Sequence, residues 1–131
     1  MVLGALQQPA ENRPGEWMLR EYTRHHREAL YQEAVEYIDA SEDERLTVDD
    51  VARRIATSRR QLQRVFEEVG GMSFREYLVS SRMERAARML AAGATVGEVA
   101  RRVGYGHASH FARAFRRHHG TTPSEYARRH R

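Results

Sequence analysis

Arg60, Gln63, Arg64 and Glu67 stand at i, i+3, i+4 and i+7, a spacing that gathers four side chains on one face of a helix. Arginine forks onto guanine O6 and N7, and glutamine pairs with adenine N6 and N7, so such a face suits base edges in a major groove. Ser109, Ala112, Arg113 and Arg116 repeat the spacing further on. That second face is thinner, because Ala112 offers no polar atom, although small residues lie well against thymine methyls. A helix that merely faces water displays the same residue types. Taken alone, each face fits groove reading and plain solvation equally well.

The elements that would have to hold these faces come in a repeat. Val51-Ala52-Arg53-Arg54-Ile55 matches Val99-Ala100-Arg101-Arg102-Val103 at an offset of 48. Beyond the turn the offset becomes 49, and Leu62, Phe66, Gly71 and Tyr77 meet Phe111, Phe115, Gly120 and Tyr126. The extra residue falls in a turn, where insertions are tolerated. Short helix, tight turn, second helix and glycine stop describe a helix-turn-helix; an αα-hairpin used only for packing is the plainer alternative.

Local signals place the helices. Thr47 with Asp50 approximates a capping box for a helix over 48–55, and Ala56-Thr57 breaks it. Ser58 caps a helix over 59–69 with Leu62, Val65, Phe66 and Val69 inward, ended by Gly70-Gly71. Ser73 starts a longer helix to about Ala91, with Phe74, Tyr77, Leu78, Ala86, Met89 and Leu90 as its buried positions. Helices over 95–103 and 107–119 follow, and Ser124 caps a last short one through Tyr126. Upstream, 16–40 is helical, with Leu30, Ala34 and Ile38 on one stripe, behind a tail over 1–15. No segment has the alternation of a strand, so the expected class is all-α. At ~1.5 Å per residue the 73–91 helix is roughly 27–29 Å long. Successive major-groove faces on one side of B-DNA lie about 34 Å apart. Such a rod could hold two unlike reading helices near that separation, which predicts an asymmetric target.

Charge is unevenly spread. Met1 to Arg45 carries five Arg against ten acids, whereas Leu46 to Arg131 carries seventeen Arg against eight. A basic body behind an acidic head suits a polyanion-binding surface on the larger piece. All the cations are Arg, a bias that fits guanidinium recognition and GC-rich codon usage alike. Cysteine is absent, which excludes disulfides and thiolate metal sites. No apolar run reaches the ~20 residues of a membrane span, and no signal peptide is visible, so a soluble, cytoplasmic protein is expected.

The stretch VARRVGYGHASHFARAFRRHHGTTPSEY resembles the signature of the AraC/XylS family of bacterial transcription regulators. It carries Val99-Ala100, Val103-Gly104-Tyr105, Phe111, Arg113-Ala114-Phe115 and Gly120-x-x-Pro123-x-x-Tyr126. Val51-Ala52, Ser58, Leu62, Arg64, Phe66, Gly71 and Tyr77 are similar to the family's other helix-turn-helix, and the likeness runs from Leu30 to Arg129. The resemblance implies about seven helices, two helix-turn-helix subdomains joined by a long linker helix, and sequence-specific binding of double-stranded DNA. It implies promoter control, commonly activation through RNA polymerase. Carried over by position, the base contacts are Arg60, Gln63, Arg64, Ser109, His110 and Arg113. The phosphate contacts are Ser58, Arg59, Arg82, Arg116 and Arg117. The implied organisation is 1–29 as tail and helical extension, 30–72 as first subdomain, 73–92 as linker helix and 93–131 as second subdomain. His107 departs from the family's Asp, Ser or Asn cap, and Ala108 and Ala112 shorten the second helix's reach. The first copy is therefore expected to supply most base discrimination. A stand-alone regulator and a piece of a longer one both fit the short stretch before Leu30.

Other functions fit less well. Neither a phosphate loop, a nucleophile elbow nor a pair of carboxylates in a cleft is visible, so an enzyme is not expected. His107 with His110, and His118-His119, raise a metal site, but the first pair lies among arginines and the second is expected to diverge. No metal and no cofactor is therefore predicted. A non-specific architectural nucleic-acid binder and a protein–protein adaptor or anti-activator remain as alternatives. The unlike halves predict a monomer on DNA.

Overall fold

The structure, a computed structural model, describes residues 14–43 and 45–130; most of the tail expected over 1–15 lies outside them. The described residues form seven α-helices and no strand: α1 Pro14–Ala40, α2 Val48–Arg54, α3 Arg59–Val65, α4 Phe74–Ala91, α5 Val96–Arg102, α6 Ala108–His119 and α7 Pro123–His130. A π-helical turn, Phe66–Gly70, continues α3.

The helix starts follow the local chemistry. Thr47 and Asp50 close a reciprocal capping box on α2, and Ser73 and Glu76 close another on α4. Ser58 and Thr95 each accept one backbone N–H. The last helix differs from expectation. Thr122, not Ser124, accepts from the Glu125 N–H, and Pro123 takes the first helical position, where its missing donor costs nothing. α7 then runs on to His130. Val69 also departs from its predicted inward place and is 38% exposed. The wider i→i+5 turn rotates it off the Leu62–Val65–Phe66 stripe.

Two separate cores result. Ala34 and Ile38 of α1 pack with Leu46, Val51, Leu62, Phe66 and Phe74 in the first. The second gathers Met83, Ala86 and Leu90 of α4 with Val99, Phe111, Phe115 and Ala127. The start of α4 thus belongs to one core and its remainder to the other. Tyr77, Leu78 and Met89, expected as buried, are only half-buried; Arg82 and Met83 are the fully covered positions in the middle of the rod.

Polar groups fasten α4 to the end of α1. The Asp39 carboxylate accepts hydrogen bonds from the Tyr77 hydroxyl at 2.9 and 3.0 Å and from Ser81 Oγ at 2.8 Å. Burial, and then the hydrogen bond to Asp39 and its charge, push the Tyr77 phenol well above its ordinary range. Arg85 donates to the Asp39 carbonyl at 3.3 Å. Arg82, 5% exposed, donates to the carbonyls of Asp43 at 2.9 Å and of Ile38 and Ser41 at 3.4 Å. These carbonyls belong to the C-terminal end of α1 and the segment after it, where a cation also complements the helix dipole.

Candidate nucleic-acid interface

The second helix of each bihelical unit is two-faced. In α3, Leu62 and Val65 are buried while Arg60, Gln63 and Arg64 are exposed. In α6, Phe111 and Phe115 are buried while Ser109, His110 and Arg113 are exposed, and Ala112 is half-covered. Burial of the apolar stripe sets the rotation of each helix, so the side chains singled out for base contact are those left in solvent. The 18 residues of α4 span ~27 Å between the two units.

The turns that aim these helices are equivalent in three dimensions. Thr57 N donates to the Ala52 carbonyl at 2.9 Å, and Tyr105 N donates to that of Ala100 at 2.8 Å. Both turns pass through the left-handed region, at Ala56 with φ 58° and at Gly104 with φ 94°. Each second helix ends on a left-handed glycine, Gly71 at φ 75° and Gly120 at φ 76°. Between these points Phe66 meets Tyr77 at 5.6 Å between ring centroids, and Phe115 meets Tyr126 at 5.5 Å.

The residues expected on phosphates are placed unequally. Arg116 and Arg117 are exposed on α6. Ser58 uses its hydroxyl to cap α3, accepting from Gln61 N at 3.1 Å. Arg59 is exposed but ion-paired to Asp49, with Nε to Oδ1 at 2.8 Å. That hydrogen bond, more than the surrounding charge, holds the Asp49 carboxyl below its usual range. A phosphate at Arg59 would have to compete with this partner. Arg82 is the correction: its guanidinium is buried against three carbonyls of the α1 terminus and is not on the surface. Position in the linker helix suggested a phosphate contact; the side the residue faces depends on where α1 docks. His107 provides no side-chain cap to α6, as its residue type predicted.

The histidine pair is a second correction. His118 and His119, expected to diverge, both turn onto α4. His118 Nε2 lies 2.9 Å from Glu84 Oε1, and His119 Nε2 lies 3.0 Å from the Met83 carbonyl oxygen. The hydrogen bond from His118 is the main cause holding the Glu84 carboxyl low. Neither Glu84 nor Asp39 was singled out by the sequence, since their partners lie at least 34 residues away.

Comparison with known proteins decides the family. A family model described as a helix-turn-helix domain matches residues 51–129, which takes in both bihelical units. The regulatory protein SoxS of Salmonella typhimurium is 33% identical over 101 residues, covering 76% of this chain and 94% of SoxS. A transcriptional regulator of the AraC type from Chromobacterium violaceum superposes with a TM-score of 0.75 at 29% identity, covering 79% of this chain and 93% of that one. The chain belongs to the AraC-type helix-turn-helix regulators. Its AraC-type fold is also similar to the DNA-binding domain of AdpA, a global transcriptional factor solved with a target DNA, at a TM-score of 0.62 and 27% identity over 79% of this chain and 90% of that one. The chain spans about a third of the length of the first curated relatives it matches.

Proposed function

We propose that this AraC-type domain reads an asymmetric double-stranded DNA site as a monomer, with α3 and α6 in neighbouring major-groove segments, and activates transcription through contact with RNA polymerase. Arg60, Gln63 and Arg64 make most of the base contacts; Ser109, His110 and Arg113 make the remainder. Ser58, Arg59, Arg116 and Arg117 hold phosphates, which fix register without reading sequence. In this proposal 30–72 and 93–131 are the two grips, 73–92 is the rod between them, and 1–29 is a tail and helical extension. The setting is the bacterial cytoplasm, at the nucleoid.

One observation carries the proposal: two structurally equivalent helices expose polar, Arg-bearing faces directly opposite the stripes that form the cores. A rod of ~27 Å is comparable in length with the ~34 Å between successive groove faces. Unlike residues on the two helices support an asymmetric site.

Selection of bound duplexes from a random pool tests specificity, site length and asymmetry together. A specific regulator prefers its selected duplex over competitor by about 10³ or more. Arg64→Ala should then relax preference at one base pair and cost about 1–3 kcal/mol on the selected duplex. Equal losses on selected and random DNA would instead favour a non-specific architectural binder.

A further inference from the structure

We propose that Glu84, His118 and His119 form a binding site for a divalent transition-metal ion of the zinc class, tying the second reading helix to the linker helix. One donor atom from each residue falls within a set whose members all lie within 4.8 Å of one another. Two imidazoles and one carboxylate are a donor set that zinc accepts, with a water completing four-coordination. Zinc bonds of ~2.0–2.2 Å require tetrahedral donors roughly 3.4 Å apart, so closing on the ion asks for about an ångström of side-chain movement. His119 must ligate through Nδ1 or release the Met83 carbonyl that its Nε2 meets at 3.0 Å.

The two helices already bring the donors to this point. The His119 ring is held against Phe115 at 4.4 Å and against Tyr126 at 5.6 Å between centroids. His118 packs edge-on against it at 4.7 Å, and its Nε2 points at the Glu84 carboxylate. In that contact an ion takes the place of the shared proton. Arg88 lies close enough on α4 to act on the Glu84 charge; its repulsion of a cation limits the affinity. Ligation needs both imidazoles neutral, so binding weakens on acidification. The site is independent of whether the exposed helix faces read DNA.

The test is isothermal titration of the full chain with Zn²⁺ at neutral pH, together with Co²⁺ absorption as a readout of coordination. Glu84→Gln changes an exposed side chain and His118→Ala a half-buried one at the surface of α6, and circular dichroism checks that both variants keep the fold. A His107→Ala/His110→Ala variant removes the other histidine pair, whose rings lie 5.1 Å apart on α6. The expected result is one ion per chain, retained by the His107/His110 variant and weakened at least tenfold by both His118→Ala and Glu84→Gln. The ion should raise the melting temperature of the wild type and of neither weakened variant. Absence of binding to the wild type, undiminished binding to His118→Ala or Glu84→Gln, or loss in the His107/His110 variant overturns the site.

Discussion

The two bihelical units share a backbone plan but are completed from different sources. In the first, α1 lays Ala34 and Ile38 against the pair, and Tyr31 meets Phe66 edge-on at 5.1 Å. Gly70 makes room for this, because a Cβ there would sit 2.5 Å from the Tyr31 ring. In the second unit His119 stands where Gly70 stands in the first, and its own ring covers Phe115. Linker helix α4 does for the second core what α1 does for the first. The lesson is that the duplicated part is the turn, the inner stripe and the aromatic anchor, while the covering element is free to change. The units also differ at their joints: Ser58 caps α3 but His107 leaves α6 uncapped, and the first turn carries Ala56 where the second carries Gly104.

The sharpest test of equivalence lies in the anchors. Phe66→Ala and Phe115→Ala should each cost about 3–5 kcal/mol, since both rings are wholly buried. Urea unfolding of the two variants checks this, and a marginal loss for one of them would break the correspondence between the units.

Arg82→Ala comes next, at about 1–3 kcal/mol, because it removes a buried donor from the carbonyls of Ser41 and Asp43 just after α1. Under conditions where the variant stays folded, its affinity for DNA and the salt dependence should match the wild type. A salt slope reduced by about one would return Arg82 to the phosphate contacts.

The caps give a smaller effect with opposite signs. Ser58→Ala should destabilise by ~1 kcal/mol, whereas His107→Asp should stabilise by a similar amount, by giving the α6 N-terminus the acceptor it lacks. Denaturant midpoints at constant slope measure both. If neither midpoint moves, the joints do not differ in the way their residues suggest.

Ala56→Gly should have the least effect, a gain of ~0.5–1 kcal/mol. A left-handed alanine costs ~1–2 kcal/mol, and glycine's greater freedom in the unfolded chain offsets part of the relief. A loss of stability would mean that the first turn is not strained in this sense.

Much of the site was legible because it rests on short-range rules. Ser58, the Leu62–Phe66 stripe and Gly71 together set where α3 starts, which side is buried and where it stops, so Arg60, Gln63 and Arg64 had to face outward. The same logic placed Ser109, His110 and Arg113. Val69 and the last cap escaped it: one unexpected π turn shifted the first, and Thr122 competed with Ser124 for the second. Arg82 escaped it for a different reason. On a polar-looking helix position an arginine reads as surface, and only the arrival of the α1 terminus 39 to 44 residues earlier in the chain makes it a buried donor.

The amino-acid order by itself determined the seven helices of the described residues, the caps of α2, α3 and α4 and the doubling of the bihelical unit, because each depends on side chains within a turn or two of one another. The docking of α1 and α4 decided what those signals could not reach: the burial of Arg82, the grip of Tyr77 and Ser81 on Asp39, and the convergence of Glu84 with His118 and His119. These partners are far apart in the chain and carry no shared periodicity. Their meeting is set by how two cores pack onto one rod.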